Sequence, residues 1–261
     1  MKLKILTFNL RTDTPVDGIN QFFLTRKDRV LEAIRTEDAD IIGFQEARDN
    51  MRAWLYEVLP PLGYRVEGCG RDADYRGEST VIAVKLEKFQ VISVENRWLS
   101  FTPHVPGSRF GRDQSSCPRI LTAAVLKPTE GRPFLFVNTH LDHKGSTARL
   151  LGAVSVMQYV AEQGLHFAVT GDMNALPDSP EIYAFTDAEP AGRPVKDATA
   201  LLGGTFHGFG RYGEDKMGKI DYVFTDMPCD ETESYRLSAE PVDGVYISDH
   251  CPVAAFVETE I

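Results

Sequence analysis

Short runs rich in β-branched and aromatic residues recur along the whole chain, and run after run stops on Asn, Gln, Glu, His or Asp. Residues 2–8, 40–44, 79–84, 89–99, 120–127, 133–139, 166–170, 219–224 and 253–257 read as strands on that content. Helical patterns are fewer. Residues 25–37 are amphipathic: Thr25 caps the start, Asp28 follows three positions on, and Val30, Leu31 and Ile34 make the buried stripe. Residues 50–59 and 148–163 read as two further helices. Many strands with few regularly spaced strand–helix–strand units favour stacked sheets covered by helices over a barrel of eight repeats. The expected class is α/β. No repeat, low-complexity tract or Pro/Gly/Ser-rich linker interrupts the chain, so residues 1–261 are expected to form one domain. The longest expected loop, residues 100–118, is rich in Pro, Gly, Ser and Arg, and long loops in compact domains are often functional.

Composition narrows the function. Hydrophobic residues make up 43% and charged residues 25% of the 261, which excludes a disordered chain and allows a core without staples. The apolar run after Met1 is too short for a secretory signal, and Asn9, Arg11 and Asp13 follow at once. No stretch has the length of a membrane span, so no membrane partner is expected. Cys69, Cys117, Cys229 and Cys251 are scattered without a CxxC pair. That speaks against a zinc knuckle or disulfide framework, and a cytoplasmic location is the expectation. The formal net charge of -10, with no Lys/Arg cluster, disfavours a nucleic-acid partner, because phosphate neutralisation supplies most backbone affinity. A small phosphorylated substrate fits better.

The strand ends carry the chemistry. Ile5-Leu-Thr-Phe stops at Asn9, Ile41-Ile-Gly-Phe at Gln45-Glu46, Phe134-Leu-Phe-Val at Asn138-Thr-His140, and Phe167-Ala-Val-Thr at Gly171-Asp172-Met-Asn174. Asp221 opens another strand, and Ser248-Asp249-His250 precedes the last. Singly, each has an ordinary explanation as a turn residue or a helix-start carboxylate. Together they place polar groups at the ends of buried strands, where unpaired charges are costly unless they bind something. Carboxylates and amides without thiols suit a hard cation such as Mg²⁺ or Mn²⁺. The inventory matches phosphoester hydrolysis, and no G-x-S-x-G elbow or P-loop is present.

Thr7-Phe-Asn9-Leu, Gly43-Phe-Gln-Glu46, Asn138-Thr-His140-Leu-Asp142-His143, Gly171-Asp172-Met-Asn174-Ala, Lys219-Ile-Asp221-Tyr-Val-Phe and Ser248-Asp249-His250-Cys-Pro also resemble, in order, the motifs of a known superfamily. It is the endonuclease/exonuclease/phosphatase group, the DNase I-like metal hydrolases. Trp98-Leu-Ser, Pro106-Gly-Ser, Cys117-Pro-Arg119 and Gly204-Thr-Phe-His207-Gly-Phe resemble a bacterial subgroup of small metal-dependent hydrolases, itself similar to the nocturnin and deadenylase branch. The chain departs from that subgroup at Phe101, where an acidic residue is usual, and in residues 108–114, which lack its tryptophan.

The resemblance implies a four-layer α/β/β/α sandwich, two mixed sheets packed face to face with helices outside. It implies Glu46 as principal metal ligand, helped by Asn9 and Asp249. Asp172 would position or activate the attacking water, steadied by Asn174. His250, oriented by Asp221, would contact the scissile phosphate, and His140 a second phosphate oxygen, with Glu78 orienting it. Arg112, Arg119 and His207 are the candidates for binding substrate.

The leading expectation is a Mg²⁺- or Mn²⁺-dependent phosphomonoesterase or phosphodiesterase acting on a nucleotide or sugar phosphate. An endo- or exonuclease is second. A catalytically silent scaffold ranks last, because every residue of the metal and base set is present. Both one-metal and two-metal schemes, and any oligomeric state, are compatible with the sequence.

Overall fold

The structure is a computed structural model that describes residues 1–259, so the last two positions of the expected 1–261 domain lie outside the described residues. In chain order its elements are β1 (Lys2–Asn9), α1 (Lys27–Glu37), β2 (Ile41–Ala47), α2 (Asp49–Val58), β3 (Tyr64–Glu67), β4 (Ser79–Lys85), β5 (Phe89–Trp98) and β6 (Ile120–Pro128). There follow β7 (Phe134–His140), α3 (Ser146–Gln163), β8 (Phe167–Asp172), α4 (Pro180–Thr186), β9 (Lys196–Asp197), β10 (Asp221–Thr225), β11 (Tyr235–Arg236) and β12 (Val253–Glu258). One sheet has the order β11-β12-β1-β2-β4-β3 and the other β5-β6-β7-β8-β10-β9. Both are mixed: β1 runs parallel to β2 and β7 to β8, and the remaining pairs are antiparallel. Among the described residues no helix is long and apolar enough to cross a membrane.

Strand periodicity explains the layers. Alternate residues of a strand face opposite sides, so a strand buried on both faces is apolar throughout. In β1, Leu3 and Ile5 pack with Ile41, Ile82, Phe134, Phe136 and Val223 between the sheets. Leu6 and Phe8 turn the other way, onto Val30 and Ile34 of α1 and Met51 and Leu55 of α2. On the far side, Leu135, Val137, Phe167 and Val169 meet Val156 and Val160 of α3 and Ile182 and Phe185 of α4. Three apolar layers thus separate α/β/β/α, the architecture expected.

The start of α1 corrects one expectation. Thr25 does not cap it; the helix begins at Lys27, after a π-helical turn over Phe22–Arg26. The Thr25 hydroxyl donates back to the carbonyls of Ile19 and Gln21, and no side chain caps the helix. Val30 and Ile34 are fully buried, whereas Leu31 is only partly so.

Residues 99–119 contain no strand or helix, and two carboxylates tie this loop to the first turn of α3. Asp113 accepts from the N–H groups of Thr147 (2.9 Å) and Ala148 (3.0 Å). Asp142 accepts from the N–H groups of Ser115 (3.1 Å), Lys144 (3.0 Å) and Gly145 (2.8 Å), and from the Ser115 hydroxyl. Burial alone would raise the Asp142 carboxyl, but the Gly145 N–H and the Ser115 hydroxyl and N–H outweigh it and hold it at about 2. A carboxyl depressed on folding stabilises the protein fully above its unfolded value near 4, and that stability is lost as the pH falls towards 2. Asp142→Ala is therefore expected to cost about 2 kcal/mol in urea unfolding at pH 7. The gap should narrow below pH ~4; a gap that stayed constant with pH would contradict this role.

Candidate active site

The two parallel pairs deliver the site. The β1–β2 register ends at Asn9 opposite Gln45, and the β7–β8 register ends at His140 opposite Asp172. β1 lies against β8, and β2 against β7, across the sandwich. The carboxyl ends of four central strands therefore open at one edge, the place where α/β sheets bind ligands. β10 enters the same row antiparallel, with Asp221 opposite Asp172. Gly171 permits the close pairing of β8 with β7: a Cβ there would lie 2.3 Å from the Thr139 carbonyl oxygen. Glu46 sits where the β2–β4 register shifts, with φ of 60°, a bulge that turns its side chain towards the sheet edge.

Beneath the opening lies a buried polar layer. Gln45 Nε2 donates to Thr7 Oγ1 (3.1 Å) and Asn138 Oδ1 (2.7 Å), and Thr170 Oγ1 donates to the same Asn138 oxygen (3.2 Å). Asn138 Nδ2 closes the layer on the carbonyls of Phe44 (2.8 Å) and Val81 (3.0 Å). These bonds join the two sheets directly under the site.

Asn9 presents its amide nitrogen to Glu46 Oε1 (3.2 Å) and Asp172 Oδ2 (3.0 Å), while its oxygen accepts the Arg11 N–H (2.9 Å). The second Glu46 oxygen accepts the Thr12 N–H at 2.9 Å. His250 Nδ1 is 2.9 Å from Asp221 Oδ2, and its Nε2 faces Asp172 Oδ2 at 3.7 Å. Thr205 Oγ1 donates to Asp221 Oδ2 (2.6 Å), and Ser248 Oγ holds the Asn9 carbonyl (2.6 Å).

Electrostatics divides these groups into two kinds. Burial would lower the His250 imidazole, but Asp221 and Asp172 outweigh it and hold the ring well above its ordinary value, as an imidazolium. Burial would raise the Glu46 carboxyl, but the Thr12 N–H, His250 and Arg11 leave it below the usual range. Asp172 goes the other way: burial, with Asp221 and Glu46 close by, pushes it to about 7 against the pull of His250. Burial and Glu46 likewise raise Asp249. Burial, then Arg119 and Arg71, push the His140 imidazole well down. Neutral His140 thus accepts from Asn174 Nδ2 at 3.0 Å, and its Nε2 lies 3.5 Å from Asp172 without an ion pair.

A cavity of about 390 Å³ opens over this set, lined among others by Glu46, His140, Asp172, Asn174, Asp249 and His250. Arg119 lines it too, buried, with Nη2 2.8 Å from His143 Nδ1 and Nε 3.6 Å from Asp142 Oδ2. Glu78 is in the wall, its carboxylate 2.7 Å from Arg71. Arg112 lies on an exposed turn of the long loop and does not line the cavity. His207 is buried behind it: Nδ1 accepts the Gly210 N–H (3.2 Å) and the ring packs on Tyr246. Sequence reasoning passed over Arg11, Arg71 and Thr205. Arg71 sits in an irregular loop with no periodic signal, whereas Thr205 lies in the Gly204-Thr-Phe-His207 run, two residues before its histidine.

The donor chemistry fits a hard divalent cation. One oxygen each of Glu46 and Asp172 and a ring nitrogen of His250 lie within 4.8 Å of one another. The imidazolium offers an N–H there, so of this group a carboxylate, with Glu46 the one held ionised, is the member suited to a cation. Burial first, and then the neighbouring carboxylates, raise Asp172 and Asp249, and a bound cation would offset the like-charge part.

Comparison with known proteins agrees with this geometry. A sequence model of the endonuclease/exonuclease/phosphatase family matches residues 6–250. The chain superposes on a member of that family from Bacteroides vulgatus with a TM-score of 0.86 and 32% identity, covering 100% of each chain. It superposes on a mannosyl-6-phosphatase from Bacteroides thetaiotaomicron with a TM-score of 0.81 and 27% identity, covering 98% of this chain and 100% of that one. Protein L388 of Acanthamoeba polyphaga mimivirus is 28% identical over 123 residues, 45% of this chain and 45% of that protein, so the match spans less than half the length of that curated relative.

Proposed function

Given that the chain belongs to the endonuclease/exonuclease/phosphatase family, we propose that it is a divalent-metal-dependent phosphoester hydrolase for small phosphorylated substrates, sugar phosphates foremost. The observation that carries this reading is the meeting of Asn9, Glu46, His140 and Asp172, from four strand ends of both sheets, with the Asp221–His250 pair in one cavity. The chain acts as one catalytic unit, since neither sheet alone holds the set. A sugar phosphate is the first choice because the mannosyl-6-phosphatase matches over its whole length. A cavity of about 390 Å³ also suits a small ligand. Nucleotides remain second. The four free thiols fit a reducing compartment, and the proposed location is cytoplasmic.

Glu46 is the principal ligand for Mg²⁺ or Mn²⁺, with Asp249 beside it and Asn9 steering the Glu46 carboxylate. Held by these residues, such a cation would supply Lewis-acid stabilisation of the phosphoryl and leaving-group oxygens. Asp172, its Oδ1 fixed by the Asn174 N–H at 2.9 Å, orients the attacking water and accepts its proton. His250 donates from Nε2 to a phosphoryl oxygen as charge builds there. His140 and Asn174 hold a second oxygen, and the Arg119 guanidinium in the cavity wall offers its charge to a third. Arg11 and Arg71 also line the cavity, but Asp17 and Glu78 pair with them, which argues against a basic track for a nucleic-acid backbone.

The test is product release from hexose phosphates, nucleotides, a simple diester and an oligonucleotide, with Mg²⁺, Mn²⁺ or EDTA. Expected are EDTA-sensitive turnover, hexose phosphates ahead, and little change between about 50 and 200 mM salt. Preference for the oligonucleotide with a steep salt response would replace this reading by a nuclease. Silence from folded protein across the panel would favour a scaffold.

A further inference from the structure

Arg26 is, among the described residues, the largest side chain with no solvent exposure. Among the described residues no carboxylate comes within ion-pair distance of it. Its donors go to backbone carbonyls: Nη1 to Leu10 (2.6 Å) and Ile247 (3.0 Å), Nη2 to Arg11 (2.8 Å), and Nε to Asn20. Leu10 and Arg11 directly follow Asn9, and Ile247 directly precedes Ser248-Asp249-His250. The two segments meet again where the Ser248 hydroxyl holds the Asn9 carbonyl. One guanidinium thus joins the end of β1 to the segment entering β12, and each segment carries part of the proposed metal site.

Packing alone does not explain this choice. A buried cation costs several kcal/mol in desolvation, and an apolar side chain of similar volume usually serves a core as well or better. Burial here pulls the guanidinium down to about 10, which records that cost. The backbone is distorted as well: Arg26 ends the π-helical turn over Phe22–Arg26, a distortion frequent at functional sites. Lysine offers three donors on one atom, whereas the planar fork reaches three separate chain segments at once.

We propose that Arg26 is a positioning residue for the metal-binding end of the site, fixing the backbones that present Asn9 and Asp249 on either side of Glu46. The inference rests on the metal reading above. Outer groups that fix ligand geometry typically change metal affinity by about 10- to 100-fold when removed.

The experiment measures Mn²⁺ affinity by calorimetry, melting in EDTA, and turnover for wild type, Arg26→Lys, Arg26→Ala and Glu46→Ala. Both Arg26 variants are expected to bind Mn²⁺ about 10- to 100-fold more weakly. Turnover should fall with affinity, and methylguanidinium should partly restore both in Arg26→Ala. Arg26→Lys, which keeps the charge, guards against a misfolded alanine variant. If the Arg26 variants melt earlier yet keep wild-type affinity and turnover while Glu46→Ala loses Mn²⁺, Arg26 is only part of the core and the inference fails alone. Unchanged affinity in Glu46→Ala overturns the metal reading and this inference with it.

Discussion

Glu46→Ala is expected to lower turnover by on the order of 10³-fold and to weaken Mg²⁺ and Mn²⁺ binding, while the metal-free protein melts no earlier than wild type. The first effect follows from its place: both Glu46 oxygens are steered, one by Asn9 and one by the Thr12 N–H, and the carboxylate stays ionised despite burial. The second separates function from stability. Glu46 raises the carboxyls of Asp172 and Asp249, so its charge opposes theirs in the metal-free fold. Removing it relieves that repulsion, and Asp172 should then titrate below about 7. A groove that merely needed an acidic lining would show a loss of less than tenfold with unchanged metal affinity. Kinetics across a metal titration, paired with melting in EDTA, distinguish the cases.

How much of this was legible in the sequence depends on whether a residue's direction is set by the regular strand pleat. Asn9, His140, Asp172 and Asp221 sit in strands whose periodicity and end point are visible, so their convergence could be read from runs such as Ile5-Leu-Thr-Phe-Asn9. Glu46 was found by position, but its aim depends on a bulge and a left-handed backbone that no alternation pattern encodes. Arg71 depends on tertiary closure of an irregular loop, and its pairing with Glu78 has no local signature. Short elements were missed for a related reason: β3, β9, β11 and α4 are too brief for a period to emerge. The Thr25 cap failed because a tertiary contact outweighed a local one. Arg26 reaches back to Leu10 and Arg11, and the chain before α1 winds into a π-helical turn instead of a capped helix start. His207 drew attention by residue type, yet in that motif it is Thr205 that reaches the site, through Asp221. Type suggests chemistry; only the fold decides which neighbour in a motif performs it.

His250→Ala is expected to cost about 10³-fold in turnover, and Asp221→Asn to change the pH profile more than the maximum. In the structure Asp221 is the first of the groups that hold the His250 proton, against the effect of burial. The imidazolium, the form that donates to the phosphoryl oxygen, should persist well above neutrality in wild type. In Asp221→Asn that carboxylate is gone and burial pulls the ring down, so activity should be lost at a lower pH than in wild type. The variant would be closest to wild type at the acidic end of the profile and weakest at the alkaline end. Stability should follow the same sign. A histidine raised on folding contributes fully below its unfolded value near 6.5, and the contribution fades as pH rises through the higher folded value. Asp221→Asn should therefore narrow the stability gap between pH 6 and pH ~9 as well as shift the kinetic profile. Parallel profiles for wild type and Asp221→Asn, offset by a constant factor, would mean that His250 works unprotonated, and the donor role would pass to Asn174 or Arg119.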